Sequence, residues 1–280
     1  MGASTKDVKI RIKSVESTQQ ITRAMGLVAS SKLRRAKERM ESSRAYFVAM
    51  RDTLGDIAAK MKGSDSLYVS GREIKKVCYI VIAGDRGLAG GYNNNILRLL
   101  HEHTDGKNVC VLPVGKRVNE YCKSHGIEVL TEEYAVVEAI DRHECAALSR
   151  MVADLYTDGS FDELYLVYTK FHSMLSQSPQ VMRLLPLEVP EDVIDDTHFI
   201  LYEPGITAVF EAIVPEYLTG ILFGAVAESY CCELTARRNA MDAAGKNAEE
   251  MLEKLNLDYN RARQSAITQE ITEIIAGSSD

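Results

Sequence analysis

Apolar side chains recur at steps of three and four residues over two long stretches, one near each end of the chain. The first stretch runs from Lys6 to Lys62 and the second from Thr207 to Ala276, with Pro215 close to the start of the second. This spacing places the apolar side chains on one face of an α-helix. The stripe comprises Val8, Ile12, Val15, Ile21, Met25, Val28, Ala29, Leu33, Ala36, Met40, Phe47, Met50, Leu54, Ile57 and Met61 in the first stretch, and Met241, Ala244, Ala248, Met251, Leu255, Tyr259, Ala262, Ile267, Ile271 and Ile274 in the second. The pattern predicts two long amphipathic helices.

Helices of this size would be on the order of 80 to 100 Å long at the rise of an α-helix. A globule built from 280 residues cannot enclose two such stripes, so we expect the helices to bury them against each other. The chain leaves along one helix and returns along the other, which makes the pair antiparallel. A period nearer to about 3.5 than to 3.6 residues favours a left-handed coiled coil. The alternative is a pair of ordinary helices in a helix bundle.

Between the two stretches the pattern changes from helical to strand-like. Val77–Ile82 is a continuous apolar run, as in a strand that is covered on both faces. A glycine-rich turn, residues 84–91, and a helix that begins near Asn93 follow it, and this order is typical of the start of a doubly wound α/β domain. The further predicted elements are strands over 108–113, 164–171, 181–187 and 199–202, and helices over 116–124 and 134–156.

The predicted fold class is therefore α/β: a long antiparallel two-helix coiled coil, formed by the N- and C-terminal segments, plus a central Rossmann-like α/β domain. We expect the first coiled-coil helix within residues 1–62, the α/β domain within 63–205 and the second coiled-coil helix within 206–280. The composition, with 46% hydrophobic and 26% charged residues, is typical of a globular protein.

Two classes of protein are disfavoured by the pattern. The longest uncharged apolar run, Tyr217–Ala227, is shorter than the roughly 20 residues that span a membrane. The charged stretch Lys6–Lys13 does not resemble a secretory signal. The six cysteines lack C-x-x-C spacing, which predicts reduced thiols and no zinc or redox motif.

Charge is distributed unevenly along the chain. Residues 1–62 carry fourteen Lys and Arg against six Asp and Glu, whereas the remainder carries nineteen against thirty-four. The densest basic patch consists of Lys32, Arg34, Arg35, Lys37 and Arg39. On a helix Lys32, Arg35 and Arg39 share one face. Three interpretations are open: a solvated flank, a contact with an acidic protein surface, or nucleic-acid binding, for which the patch lacks stacking aromatic residues.

The glycine-rich turn is the segment that most resembles a nucleotide site. It lacks the Lys-Ser or Lys-Thr of a phosphate-binding loop, and its glycines at 84, 87, 90 and 91 do not match the G-x-G-x-x-G spacing. We therefore interpret it as a structural turn, in which Asp85 and Arg86 cap the following helix or pair locally. No catalytic, cofactor-binding or metal site is predicted. Two alternatives remain: a nucleotide-binding α/β enzyme with helical extensions, and a coiled-coil adaptor that binds nucleic acid through Lys32–Arg39.

Several motifs resemble one family over essentially the whole chain, in order. They are ITRAMGLVASSKLRRA at 21–36, DRGL at 85–88, LLPL at 184–187, YEP at 202–204 and YNRARQSAITQEITEI at 259–274. In these motifs the chain resembles the γ subunit of F-type ATP synthases, the central stalk rotor. Because the sequence shows neither the regulatory cysteine insert of chloroplast members nor a transit peptide, we expect a bacterial subunit. Ala89, where many members have Cys, and Arg238, where Met is usual, depart from the family pattern.

The resemblance implies a rotor shaft that binds no cofactor and carries no catalytic site. Its partners would be the alternating hexamer of α and β subunits, where catalysis takes place on β, the ε subunit and the ring of c subunits. Ion-driven rotation of the ring would be coupled to ATP synthesis or hydrolysis. The expected location is peripheral, on the cytoplasmic side of the bacterial plasma membrane, without nucleic acid and without direct membrane insertion.

The resemblance also assigns roles to individual residues. Met25, Lys32 and Arg35 would face an acidic lever region of β, and Arg237, Arg263, Gln264, Thr268, Glu270 and Glu273 would make further rotor–stator contacts. Ile267, Ile271, Ile274 and Ile275 would turn in an apolar bearing. Tyr202, Glu203 and Pro204 would lie near the foot, towards the c-ring.

Overall fold

The computed structural model describes residues 5–61, 66–187 and 201–277. The helices are α1 (Thr5–Lys60), α2 (Leu67–Ser70), α3 (Tyr92–Thr104), α4 (Lys116–His125), α5 (Arg142–Thr157) and α6 (Ile206–Gly277). The strands are β1 (Val77–Ile82), β2 (Val109–Val114), β3 (Glu128–Val129), β4 (Glu163–Phe171) and β5 (Gln177–Leu185). The two long helices and the intervening α/β elements confirm the predicted fold class.

The five strands form one mixed sheet in the order β3-β2-β1-β4-β5. Strands β1 to β4 are parallel, with Cys78 opposite Cys110 and Ile80 opposite Leu166, and β5 pairs antiparallel with β4. The chain builds outward from β1 to β3 on one side and then crosses to β4 on the other side. This reversal lies between β1 and β4, where doubly wound sheets bind their ligands beyond the carboxyl ends of the strands.

Helices cover both faces of the sheet. Helices α3 and α4 pack on one face through Ile96, Leu100 and Val118. Helix α5 packs on the other face, together with parts of α1 and α6, and contributes Val152 and Tyr156 to the core. Every residue of β1 is buried, which explains the continuous apolar run because neither face of this central strand alternates with solvent.

The chain divides into two compact units. One comprises residues 32–236 and contains the sheet; the other comprises residues 1–31 and 237–280. In the second unit a methyl group on Gly26 would lie 3.5 Å from Met241 Cβ, and one on Gly245 would lie 4.0 Å from Thr22 Oγ1. Thr22 therefore faces Gly245, and Gly26, which is later in α1, faces Met241, which is earlier in α6. The two helices of this unit are thus antiparallel, as predicted.

The seam between these two helices differs from the predicted apolar stripe. Ile21, Val28 and Met251 were assigned to it but are more than half exposed. The buried and half-buried positions of α1 in this unit are instead Thr5, Val8, Ile12, Val15, Gln19, Thr22, Met25, Gly26, Ala29 and Ser30. Apart from Met25 and Ser30, they follow steps of three and four residues, and Leu252 replaces Met251 on α6. The prediction was wrong here because polar and glycine residues occupy seam positions.

Three predicted elements need correction. The helix predicted over 134–156 begins only at Arg142, where Asp141 caps it by accepting the Glu144 N–H at 2.9 Å. Val137 and Ile140 are buried in irregular backbone, which gave the segment its apolar pattern. The strand predicted over 181–187 begins earlier, at Gln177. Of the strand predicted over 199–202, Leu201 and Tyr202 lie in irregular backbone and Phe199 and Ile200 lie outside the described residues.

Helix α6 over Ile206–Gln269 is long and apolar enough to cross a membrane by length and composition alone. Its apolar residues Phe210, Val214, Leu218 and Leu222 are buried in the core beside the sheet. We interpret the stretch as a core helix. The six cysteines are also buried and unpaired. Burial raises the pKa of Cys122 to about 11 and that of Cys145 to about 12.

Candidate functional site

Helix α6 occupies the crevice beyond the carboxyl ends of β1 and β4. The Thr169 N–H donates to Ser229 Oγ at 3.2 Å, and the Phe171 N–H donates to Glu228 Oε1 at 2.9 Å. Cys232 Sγ donates to the Thr169 carbonyl at 3.6 Å. Three hydrogen bonds therefore join the end of β4 to side chains of α6. Burial raises the pKa of Glu228.

A carboxylate lies against the first glycine of the glycine-rich turn. A methyl group on Gly84 would lie 2.8 Å from Glu233 Cδ, and Glu233 is itself buried. Dinucleotide-binding folds bring the same turn close to a phosphate. The Glu233 side chain occupies the space beside Gly84 that such a phosphate would need, which opposes nucleotide binding in this crevice.

Hydrogen bonds from neighbouring elements hold the glycine-rich turn in place. Asn93 Oδ1 accepts the Gly84 N–H at 2.8 Å, and Asn93 Nδ2 donates to the Arg86 carbonyl at 3.1 Å. The carboxylate of Asp85 accepts the N–H of Lys116 at 3.0 Å and that of Val137 at 3.1 Å. Asp85 thus caps the N-terminus of α4, where a negative charge is favourable. The contacts support the interpretation of a structural turn, although Asp85 caps α4 and not α3.

The basic face of α1 is divided between internal contacts and solvent. The Lys32 ammonium pairs with the Glu138 carboxylate, and Arg39 donates to the Ile140 carbonyl at 2.5 Å. The Arg39 guanidinium also lies 4.8 Å from the centroid of the Phe223 ring. Arg35 is exposed. The hydrogen bond from Lys32 lowers the pKa of Glu138.

The rotor–stator residues assigned by resemblance fall into both compact units. Lys32 and Arg35 belong to residues 32–236, and the others belong to the antiparallel pair. Met25 and Arg237 are half-buried there, whereas Arg263, Gln264 and Thr268 are exposed. Thr268 Oγ1 donates to the Gln264 carbonyl at 2.9 Å. The side chains of Phe47, Glu270 and Glu273 lie outside the described part of the structure.

The four isoleucines that the resemblance assigns to a bearing are exposed near the end of α6, with exposed fractions of 47%, 51%, 71% and 60% for Ile267, Ile271, Ile274 and Ile275. Their positions give an apolar surface on the last turns of the helix. Contiguous exposed apolar surface often marks a contact with another molecule, whereas apolar residues scattered singly over a surface do not.

The predicted foot residues lie beside the core of the sheet-containing unit. Tyr202 packs against that core, and the Lys60 ammonium lies 5.6 Å from its ring centroid, in the range of a cation–π contact. Glu203 and Pro204 are exposed immediately before α6. Among the described residues, this surface therefore includes the end of α1 and the residues just before α6.

A shallow polar cleft of about 470 Å³ lies at the amino end of β2 and includes His101 and His125. The His125 ring stacks on Tyr121 with centroids 4.0 Å apart. Among the described residues, no group of three or more His, Cys, Asp or Glu side chains is arranged to hold a metal ion. Sequence reasoning missed Glu138 and Glu233, whose roles depend on distant residues and leave no local motif.

Comparison with known proteins agrees with this architecture. A family model described as ATP synthase matches residues 4–279. An ATP synthase gamma chain from Ruminococcus albus is 42% identical over 99% of this chain and 98% of that protein. A sodium ion specific gamma chain from Acetobacterium woodii is 38% identical over 99% of this chain and 98% of its own length.

Solved structures show the same fold at lower identity. A chain of the Euglena gracilis mitochondrial ATP synthase, from an OSCP/F1/c-ring structure, has a TM-score of 0.68 and 16% identity, with coverage of 98% of this chain and 93% of that one. A chain of the Tetrahymena thermophila enzyme, from a central stalk/c-ring structure, has a TM-score of 0.60 and 21% identity, with coverage of 80% and 99%. The class defined by these matches is that of ATP synthase subunits. The chain belongs to the ATP synthase gamma chain family, which confirms the resemblance found in its sequence.

Proposed function

We propose that this chain is the non-catalytic central rotor shaft of an F-type ATP synthase. It couples ion-driven rotation of a c-ring to successive conformational changes of the catalytic β subunits, which synthesise or hydrolyse ATP. The observation that carries the non-catalytic role is the position of α6, whose residues Ser229 and Glu233 fill the crevice where a doubly wound domain would bind a nucleotide.

The proposed partners are the alternating hexamer of α and β subunits, the ε subunit and the c-ring. Family membership supports this set, and the related mitochondrial chains come from central stalk, F1 and c-ring structures. The chain is peripheral on the cytoplasmic side of the bacterial plasma membrane. We expect no direct membrane insertion, because the apolar part of α6 is buried beside the sheet in the described part of the structure, and no binding of nucleic acid.

The antiparallel pair formed by residues 1–31 and 237–280 is suited to this task. A single asymmetric pair of helices inside a threefold ring makes different contacts with each β subunit at any moment. A conformational equilibrium shifts only when a binding partner interacts differently with its states. Rotation of the pair therefore changes which β subunit is driven towards each state.

The rotor–stator contacts are carried by residues of the two long helices. We assign this role to Met25, Lys32, Arg35, Arg237, Arg263, Gln264, Thr268, Glu270 and Glu273. Ile267, Ile271, Ile274 and Ile275 form a bearing, and their exposure supports the assignment, because apolar contacts are non-directional and permit turning. Tyr202, Glu203 and Pro204 belong to the foot that faces the c-ring.

The test is the ATPase activity of the purified α and β subunits of the host with and without this chain, together with size-exclusion chromatography of the mixture. We expect the chain to elute with α and β and to raise turnover, while the chain alone neither binds nor hydrolyses nucleotide. Separate elution, or saturable nucleotide binding by the chain alone, would contradict the proposal and favour a nucleotide-binding domain.

A further inference from the structure

The segment between β3 and α5, residues 130–141, is tied to the carboxyl end of the sheet; we call it the connecting segment. The Gly115 N–H donates to the Ala135 carbonyl at 2.8 Å, and Ala135 forms an isolated parallel bridge with Val114. The Val137 N–H donates to the Asp85 carboxylate at 3.1 Å. Residues 135 and 137 therefore bond the connecting segment to the end of β2 and to the glycine-rich turn.

The second half of the same segment is tied to α1 at two points. Glu138 pairs with the Lys32 ammonium, and the Ile140 carbonyl accepts a hydrogen bond from Arg39 at 2.5 Å. Lys32 and Arg39 are seven residues apart, so they lie on one face of the helix two turns from each other. The connecting segment thus spans from the sheet to α1.

Glu138 is the point where most elements meet. Besides Lys32 of α1, the Tyr230 side chain of α6 hydrogen-bonds its carboxylate, and Arg86 of the glycine-rich turn is near enough to favour its charged form. Apolar contacts are non-directional, so they alone would let α1 turn about its axis against the sheet. A charge-assisted hydrogen bond is directional. The contacts of Glu138 therefore favour one rotational position of α1 relative to the sheet.

We propose that Glu138 is a positioning residue of the rotor. It holds Lys32 in place and transmits torque between α1 and the α/β fold through the connecting segment. This inference rests on the proposed function. It refines the role of Lys32, which contributes to coupling through Glu138, and leaves the exposed Arg35 as the residue of this face that meets an acidic partner.

The Lys32–Glu138 ion pair is expected to contribute only modestly to the stability of the fold. The side chains of Lys32 and Glu138 remain 40% and 43% exposed, and exposed ion pairs contribute little to stability. Val137 and Ile140 are buried and keep the connecting segment in place. Variants of Glu138 are therefore expected to fold and assemble.

The experiment compares the assembled, membrane-reconstituted ATP synthase carrying the wild-type chain with complexes carrying Glu138→Gln, Glu138→Ala, Lys32→Met and the double variant Lys32→Met/Glu138→Gln. The measured quantity is the ratio of ATP-driven ion transport to ATP hydrolysis. Glu133→Gln is the matched control, since Glu133 is an exposed carboxylate of the same segment. We expect the ratio to fall by about two- to fivefold for each single variant, a range set by the modest strength of exposed ion pairs.

The double variant should be no worse than either single variant, because both lose one shared interaction. The charge-exchanged variant Lys32→Glu/Glu138→Lys should recover most of the ratio. An unchanged ratio in Glu138→Gln complexes, or a charge exchange that recovers thermal stability but not the ratio, would overturn the inference by reducing the pair to a structural contact. Failure of the wild-type chain to join α and β is a separate result, which would refute the proposed function itself.

Discussion

Gly26 of α1 packs directly against Met241 of α6. A methyl group on Gly26 would lie 3.5 Å from Met241 Cβ, which is ordinary van der Waals contact, while Gly26 itself is buried. The helices of the antiparallel pair approach each other closely at this point because one of the two facing residues has no side chain.

Replacing Gly26 by Ala should preserve or raise stability, since Ala fits the space and is favoured over Gly within a helix by about 1 kcal/mol. Gly26→Leu should destabilise the pair, because a branched side chain cannot enter the same gap without separating the helices. Circular dichroism during thermal unfolding of the two variants checks this. Equal melting temperatures for Ala and Leu would show that the helices are not in close contact at Gly26.

Gly115 is expected to be the least replaceable glycine of the sheet-containing unit. Its φ is +102°, and a Cβ there would lie 1.9 Å from the Ala83 carbonyl oxygen. Gly115→Ala should therefore lower the free energy of unfolding by more than the roughly 1 kcal/mol that a left-handed conformation alone costs. Gly126→Ala is the control, because Gly126 has a φ of +66° with no atom within 4 Å of its Cβ. Denaturant unfolding that gives the two variants the same loss would contradict the close approach of Gly115 to Ala83.

Glu138 should stabilise the fold in a manner that depends on pH. The hydrogen bond from Lys32 lowers the pKa of Glu138 below its ordinary value of 4.5. A carboxyl group with a lowered pKa in the folded state contributes its full stabilisation at pH values above 4.5. That stabilisation is lost as the pH falls through the lower pKa of the folded state. The stability difference between wild type and Glu138→Gln should thus be constant near neutral pH and shrink in acid. Urea unfolding at several pH values measures it; a difference that grows on acidification would be inconsistent with the ion pair.

Glu228 should show the opposite sign. Burial raises the pKa of Glu228 above its ordinary value of 4.5, although the Phe171 N–H partly offsets the effect. When the pKa of a carboxyl group is higher in the folded state than in the unfolded state, its ionisation opposes folding at every pH above the folded-state pKa. This penalty disappears as the pH falls to 4.5. Glu228→Gln, which keeps an oxygen for the Phe171 N–H, should therefore gain stability relative to wild type at neutral pH and lose that gain on acidification. An advantage independent of pH would indicate that the Glu228 carboxylate is well solvated.

Gln264→Leu should weaken rotor–stator contacts while leaving the chain folded. The Gln264 side chain is exposed, and it is the backbone carbonyl of Gln264 that accepts the hydrogen bond from Thr268. We expect an unchanged melting temperature of the isolated chain and a reduced ATPase stimulation of α and β. Asn260→Leu, at an exposed position four residues earlier on α6, serves as the control. Loss of folding in Gln264→Leu would make this residue structural.

Much of the architecture could be predicted from periodicity, because a buried parallel strand and a long amphipathic helix each leave a distinct apolar pattern. Val77–Ile82 is such a strand, and both long helices end within two residues of the predicted positions in the described part of the chain. The seam of the antiparallel pair was less predictable, since Gln19, Thr22 and Gly26 occupy positions where an apolar residue is expected.

The contacts around the candidate site could not be predicted, because they join residues far apart in sequence. Glu138 lies 106 residues from Lys32, in a segment whose apolar residues resembled a helix. Glu233 meets Gly84 only after α6 has packed across the sheet. No local pattern distinguishes such carboxylates from ordinary surface residues, whereas the motifs at 21–36 and 259–274 identify the family directly.

The burial of all six cysteines makes this chain suitable for thiol labelling without prior removal of its native thiols. Alkylating reagents attack the thiolate, and burial both excludes them and raises the pKa of Cys231 to about 11. A cysteine introduced at an exposed position of α6 would therefore react selectively with a maleimide. One fluorophore or bead attached there would report the angle of the shaft in single complexes, with every native core contact retained.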